Sequence, residues 1–384
     1  MSDLPRAPGA AALAAALAAC AGATVPRTDP APPVPAAAVA VSLFLVGDAG
    51  EPDPGGEPTL AALRTAISAA AGERVVVFLG DNIYPRGLPD SAARDRAESE
   101  RRLTTQLEAV GDRARILLIP GNHDWARGGW DGWAAVRRQE AFLATRGATL
   151  LPGGGCPGPA VVDVGTRLRL VLIDTQWWLQ SRARPEDAAG GCLPAGPGGV
   201  ADSLRGALRD AGARHVVVLG HHPLATGGPH GGHFTWREHI FPLTEVVPWL
   251  WLPLPVIGSA YPLARQNGWS DQDQSGSRNR AMHDSLVAAF ASRPPLVYAA
   301  GHEHAMQVLD GLGARHLIVS GAGRFGNTSH VTAIPGTRFV ASTGGFARLD
   351  VLTDGRVRLG VILADASGRG EERFSMWLDT TAGP

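Results

Sequence analysis

Seven short apolar runs punctuate the chain: LFLV at 43–46, VVVFL at 75–79, RILLI at 115–119, LRLVLI at 168–173, HVVVL at 215–219, LVYAA at 296–300 and HLIVS at 316–320. Runs of this length, rich in β-branched residues and without polar alternation, predict strands covered on both faces. The segments between them follow a different period. In TLAALRTAISAAAG, Leu60, Leu63, Ile67 and Ala71 share one helical face, with Pro58 ahead of the start and Gly72 at the stop. Helical patterns recur at about 93–110, 134–146, 200–211 and 281–292, and FARLDVL and RVRLGVIL after position 345 read as closing strands. This alternation predicts an α/β fold. It breaks from about 224 to 280, a stretch rich in Gly, Pro and Trp and too long to be a plain connection. Its Trp236, Trp249, Trp251 and Trp269 are expected to pack as a satellite core, with a lid or a membrane-facing patch as the alternative.

Composition narrows the choice of class. The chain has 384 residues, 45% hydrophobic and 18% charged, enough for one large core or two modest ones. A formal net charge of −1, with no basic run, argues against a nucleic-acid platform. Every basic residue other than histidine is arginine, which fits a compositional bias better than a dedicated phosphate site. At the N-terminus, residues 1–20 hold a short Ala/Leu run, too short to span a bilayer, that ends in small residues and a cysteine. They read as an export signal, and Leu17-Ala18-Ala19-Cys20 resembles the lipobox of bacterial lipoproteins, with an ordinary cleaved signal as the alternative. Residues 21–40, rich in Pro and Ala, then read as a tether to a domain over 41–384. The expected location is the cell envelope or periplasm, with a lipidated Cys20 holding the chain on the outer membrane. Cys156 and Cys192 lie in Gly/Pro loops and either pair or remain thiols.

Five apolar runs are followed at once by metal-type ligands. GDAG brings Asp48, GDNIY brings Asp81, Asn82 and Tyr84, and GNHDW brings Asn122, His123 and Asp124. GHHP brings His221 and His222, and GHEH brings His302 and His304. Ligands bind at the carboxyl ends of parallel strands, so the five clusters are expected to meet on one rim. Carboxylates, an amide oxygen and imidazoles without thiolates suit a pair of first-row transition metals. Two such ions share an oxygen ligand, and Asp81 is the natural bridge.

The ordered set GDxG, GDNxY, GNHD, GHxP and GHxH resembles the calcineurin-like metallophosphoesterases, and more narrowly the purple, or tartrate-resistant-like, acid phosphatases. LIDT at 172–175, HGG at 230–232, SGAGRF at 320–325 and GGFARLDV at 344–351 extend the likeness over about 41–370, with about 233–280 inserted. The resemblance implies a four-layer sandwich, two mixed β-sheets face to face with helices outside. It implies Fe(III) on residues matching Asp48, Asp81, Tyr84 and His304, and divalent Fe, Zn or Mn on those matching Asp81, Asn122, His221 and His302. Ala49 and Gly50 stand where most calcineurin-like enzymes have a histidine ligand, and Tyr84 fills that vacancy. His222 stands where the narrower group has tyrosine. The implied activity is hydrolysis of phosphate monoesters by a metal-bound hydroxide, with His123 at the leaving oxygen. Asp124 either orients His123 or serves as a turn acceptor, and His230 and His233 are the candidates for substrate contact. A phosphodiesterase or pyrophosphatase acting on a nucleotide or lipid head group is the rival within enzymes, and a non-catalytic envelope lipoprotein binding phosphorylated ligands the rival outside them. A small phosphoester is the expected partner, with no nucleic acid and no protein partner inferred.

Overall fold

The computed structural model of the chain describes residues 30–379 apart from 187–190, 193–195, 246 and 248. The signal and lipobox residues lie outside the described part. Two seven-stranded sheets form the interior. The first has the order β14-β13-β12-β1-β2-β3-β4, made from Val39–Val46 (β1), Glu73–Phe78 (β2), Arg115–Leu118 (β3), Thr149–Leu150 (β4), Gly345–Leu352 (β12), Val357–Ala364 (β13) and Gly370–Leu378 (β14). The second has the order β11-β9-β10-β8-β7-β6-β5, made from Ala160–Val164 (β5), Leu168–Leu172 (β6), His215–Leu219 (β7), Val297–Ala300 (β8), Met306–Asp310 (β9), His316–Ser320 (β10) and Thr337–Ala341 (β11). Both are mixed: β1 to β4 run parallel, as do β6 to β8 and β8 with β10, and the remaining pairings are antiparallel.

Alternation along each strand builds four layers. Leu43 and Leu45 of β1 and Val75 and Val77 of β2 point between the sheets, against Leu170, Val217 and Ile318 of the other sheet. Phe44, Val46, Val76 and Phe78 point outward onto Leu63 and Ile67 of helix Pro58–Ala69 and Leu103 of helix Arg96–Val110. On the far side, Val171, Val216 and Val218 meet Leu204 of helix Gly196–Arg209 and Leu286 of helix Ser277–Phe290. With both faces covered, strand residues need no polar alternation, which is why these strands appear in sequence as unbroken apolar runs.

Two expectations are corrected here. The Pro/Ala-rich stretch is not a free tether throughout: Ala31 is buried, its carbonyl accepts from Arg358 Nη2 and Ser375 Oγ, both at 2.9 Å, and Arg358 Nε donates to Pro32 O at 2.9 Å. A buried guanidinium needs acceptors, and this stretch supplies them. The insertion tryptophans are not a satellite core. Trp236, Trp249 and Trp269 keep 66%, 77% and 73% of their surface exposed, because the segment folds into only short helices at Trp236–Ile240 and Ala260–Gln266. A segment that thin has no second layer to cover them.

Cys156 and Cys192 form a disulfide across a separation of 36 residues. It ties the loop ahead of β5 to the loop ahead of helix Gly196–Arg209. Closing a loop of that length stabilises the folded chain by about 3–4 kcal/mol in the chain-entropy account. The Cys156→Ser/Cys192→Ser variant is expected to lose about that much, read as a lower urea midpoint with a steeper slope, because the uncross-linked denatured chain exposes more surface.

Candidate metal centre

Each strand-end motif begins with a glycine, and packing explains why. A Cβ on Gly121 would fall on Asp81 Oδ1, and one on Gly301 would stand 2.5 Å from Asp48 Oδ2. The turns must let neighbouring loops approach to backbone contact. The residue after the glycine is strained in three motifs: Asp48, Asp81 and His302 have φ of 60°, 53° and 68°. Left-handed backbone costs a non-glycine residue about 1–2 kcal/mol and persists where the surroundings impose it. Here it turns the side chain off the strand end and into the gap between the sheets' rims.

The rims of β1, β2 and β3 on one sheet and β7 and β8 on the other thereby face each other. Tyr84 Oη donates to Asp48 Oδ1 at 3.0 Å and stands 3.1 Å from His304 Nε2, and His304 Nε2 is 3.5 Å from Asp48 Oδ1. Asn122 Oδ1 lies 3.0 Å from His221 Nε2 and 3.1 Å from His302 Nδ1, while His221 Nε2 is 3.5 Å from Asp81 Oδ1. Ligand atoms of Asp48, Asp81 and His221 all fall within 4.8 Å of one another. Asp81 thus stands between a set made with Asp48, Tyr84 and His304 and a set made with Asn122, His221 and His302. All seven side chains predicted from sequence as ligands meet here.

The donor set fits cations on electrostatic grounds. Asp48 and Asp81 are buried side by side, and among the described residues neither forms an ion pair with an arginine. Their ion-pair partners are imidazoles alone. Burial opposes ionisation of Asp81, yet the charges of His221 and His123 hold its pKa below the usual carboxylate range. Burial works against protonation of His221 too, but Asp81 raises it to about 9. His302 goes the other way, well below its ordinary value, through burial and three neighbouring imidazoles. Burial and then Asp48 and Asp81 push the Tyr84 phenol up, so a phenolate at this position requires a strongly charged cation. Backbone carbonyls fix the ring orientations, as outer partners of metal-binding imidazoles commonly do. His221 Nδ1 meets Leu79 O at 2.8 Å and His302 Nε2 meets Gln272 O at 2.9 Å.

His222 lies beside the second set, but both its ring nitrogens are engaged, by Thr175 Oγ1 at 2.8 Å and Gln272 Oε1 at 2.9 Å. Burial and the charge of His221 lower its pKa to about 3. His123 borders the open cleft, its Nδ1 2.7 Å from Pro85 O and its ring 4.3 Å from that of Tyr84. The orienting group is therefore the Pro85 carbonyl and not Asp124. The Asp124 carboxylate is fully buried and accepts from Gly121 N at 2.7 Å, Asn82 N at 3.1 Å and Asn82 Nδ2 at 3.0 Å, clasping the GDNIY and GNHDW loops together. Burial and the charge of Asp81 raise its pKa to about 7. Asp174 of LIDT does similar work, accepting from Trp125 Nε1 at 2.8 Å. His230 lines the cleft, its ring 4.0 Å from that of His302 and its Nδ1 2.9 Å from Asp273 Oδ1. His233 does not line it.

The cleft has a volume of about 610 Å³. Sequence reading missed several of its walls. Arg127 enters it from consecutive left-handed residues, Ala126 and Arg127 at φ of 51° and 57°, and the inserted segment contributes Tyr261, Arg265, Trp269, Ser270 and Gln272. Only Trp269 had a sequence signal, as a bulky aromatic in a Gly/Pro-rich loop.

Two mixed sheets face to face, with buried carboxylates and imidazoles gathered at the rims of their parallel strands, define a dimetal α/β hydrolase sandwich. A family model described as calcineurin-like phosphoesterase matches residues 42–250, just over half of the chain, and the chain belongs to that family. The family uses two metal ions, and the reaction class is metal-dependent phosphoester hydrolysis. His302 and His304 lie beyond the matched span, so their place in the site rests on the geometry above. Among solved structures the chain is similar to GAP50, the anchor in the inner membrane complex of Plasmodium, at 16% identity and a TM-score of 0.51 over 89% of each chain. It is also similar to purple acid phosphatase PPD1 from yellow lupin seeds, at 14% identity and a TM-score of 0.54 over 91% of this chain and 55% of that one. PhoD is similar at 13% identity and a TM-score of 0.51, over 91% and 74%. At these identities the likeness is one of fold. No curated protein sequence matches significantly.

The role of Asp124 is open to direct measurement. Asp124→Ala strands the buried N–H groups of Gly121 and Asn82, and a loss of about 3–5 kcal/mol of stability is expected in chemical denaturation. His123→Ala, at a partly exposed site on the cleft rim, is expected to change stability by less than about 1 kcal/mol.

Proposed function

We propose that the chain is an acid-phosphatase-like phosphomonoesterase, with Fe(III) held by Asp48, Asp81, Tyr84 and His304 and a divalent ion by Asp81, Asn122, His221 and His302. The observation that supports this reading is the pair of donor sets sharing one buried carboxylate, one of them containing a phenol. Fe, Zn or Mn suits the second set, which is all imidazole, amide and carboxylate. When bound, the two ions supply Lewis acidity towards the phosphoryl oxygens and lower the pKa of water.

The chain's own residues supply the rest. His123 Nδ1–H donates to Pro85 O, which leaves Nε2, 3.9 Å from Asp81 Oδ2, as the ring nitrogen that holds a proton for the leaving oxygen. His230, held by Asp273, presents its second ring nitrogen to the cleft as a donor to the phosphoryl group. Water adds to phosphorus, the ester P–O bond breaks, and the alcohol leaves with the proton from His123.

Export to the envelope is part of the same reading. It is supported by the lipobox-like tetrad and by the Cys156–Cys192 disulfide, a cross-link that persists in oxidising compartments. Among the described residues no helix is long and apolar enough to cross a membrane. The proposed attachment is through a lipidated Cys20, on the lipobox-like tetrad.

Two variants separate the roles. Asn122→Ala is expected to lose the divalent ion, by metal analysis, along with activity. His123→Ala is expected to keep both ions while kcat falls about 10²- to 10⁴-fold. A visible charge-transfer band absent from the metal-loaded protein, or retained in Tyr84→Phe, would remove Tyr84 from the iron site. Faster turnover of a bis-nitrophenyl ester than of the monoester would move the assignment to phosphodiesterase.

A further inference from the structure

None of the seven ligand side chains comes from the segment 260–276, which reaches the metal side through Gln272 O and Asp273. Yet that segment supplies one whole wall of the cleft, and its most prominent feature is an aromatic face. Trp269 lines the cleft with 73% of its surface exposed. Tyr261, also in the lining, meets it in a T-shaped arrangement at a centroid distance of 6.4 Å, and most of the indole surface stays exposed. Phe234 packs behind Tyr261 at 6.4 Å.

This face is held in place. Helix Ala260–Gln266 closes through Gly268 at φ 84°, and Trp269 N donates back to Ala264 O at 3.1 Å, a helix stop of the Schellman kind. Below it, Asp273 is buried, accepts from Arg265 Nε at 2.8 Å, and also holds His230. Gln272 O meets His302 Nε2, and Gln274 N donates to His230 O at 2.9 Å. The indole is thus on a backbone bonded directly to a ligand imidazole, so its distance from the reacting phosphorus is set by hydrogen bonds and not by a loose loop.

Charge argues for the same occupant. Arg265, the cation of this wall, is already paired with Asp273 and stands over the rings of Tyr261 and Phe234, so it offers no free charge to a second anion. What remains available on this wall is a flat, polarisable surface, while Arg127 enters the cleft from the loop after GNHDW. The cleft, at about 610 Å³, is far larger than a phosphate group and falls in the range of sites that take a whole small molecule.

We propose that Trp269, backed by Tyr261, is a leaving-group subsite that stacks a flat aromatic moiety in the alcohol portion of the ester, making aromatic phosphate monoesters the preferred substrates. The proposal rests on the phosphomonoesterase reading above. It assigns Trp269 to recognition of the alcohol and leaves phosphoryl transfer to the metal-side residues. Trp249 is equally exposed but lies outside this cleft, which makes it the control for general surface hydrophobicity.

The test uses the metal-loaded chain and compares 1-naphthyl phosphate with glycerol 2-phosphate. In Trp269→Ala the ratio of the two kcat/KM values is expected to fall about 5- to 100-fold, the range of one lost aromatic stack, chiefly through KM. Trp269→Phe is expected to restore most of the ratio, and Trp249→Ala to leave it as in the wild type. An equal fall for both substrates in Trp269→Ala, or no fall, overturns the proposal. Calorimetric binding of naphthylphosphonate against methylphosphonate decides the matter without turnover. Tighter binding of the aromatic phosphonate that is lost in Trp269→Ala supports the subsite even if neither ester is hydrolysed, in which case the phosphatase reading alone fails. Equal binding of the two phosphonates to the wild type overturns the subsite.

Discussion

Two carboxylates, Asp48 and Asp81, are buried within reach of each other, and among the described residues their ion-pair partners are imidazoles alone. Removing two anions from water costs several kcal/mol each unless cations replace the lost solvation. Much of the surrounding architecture answers that constraint. The glycines at the strand ends let the loops close, the left-handed backbone at both aspartates aims their oxygens inward, and Leu79 O and Gln272 O hold imidazoles with a nitrogen free for a metal. The two-sheet sandwich brings this about because strand ends from both sheets share one rim, so ligands from positions 48 to 304 converge without any single element carrying more than two of them.

The sequence pattern made much of this legible. Buried parallel strands are uniform apolar runs, and the ligands sit immediately after them, so strand identity and ligand identity could be read from the same few residues. The elements that escaped notice lack that uniformity. β4 is two residues long, β5 alternates as an edge strand does, and β9 follows so closely on GHEH that its apolar residues read as part of the motif. β11 and β14 are edge strands with mixed burial, and helix Thr175–Leu179 is a single turn set by the Asp174 cap.

Site roles were legible only where the residue type settles them. A carboxylate next to a histidine in sequence looks like its orienting partner, but the tight turn through GNHDW sends the Asp124 and His123 side chains in opposite directions, one into the protein and one into the cleft. The contacts made by the insertion were hidden for another reason. Gln272 acts on His302 through its main-chain carbonyl, which any residue type would provide, and Arg265 and Asp273 matter through each other and His230, a relation that spacing along the chain does not disclose.

The position of Asp81 between the two donor sets has a thermodynamic consequence. On the proposed assignment, in which the Asp81 carboxylate serves both sets, it cannot be oriented or neutralised for one ion without changing what the other encounters. The two affinities are therefore one coupled quantity: whatever factor the first ion applies to the second, the second returns to the first. Occupancy of this centre is described by a stepwise pair of macroscopic constants, and a single dissociation constant per metal has no meaning for it.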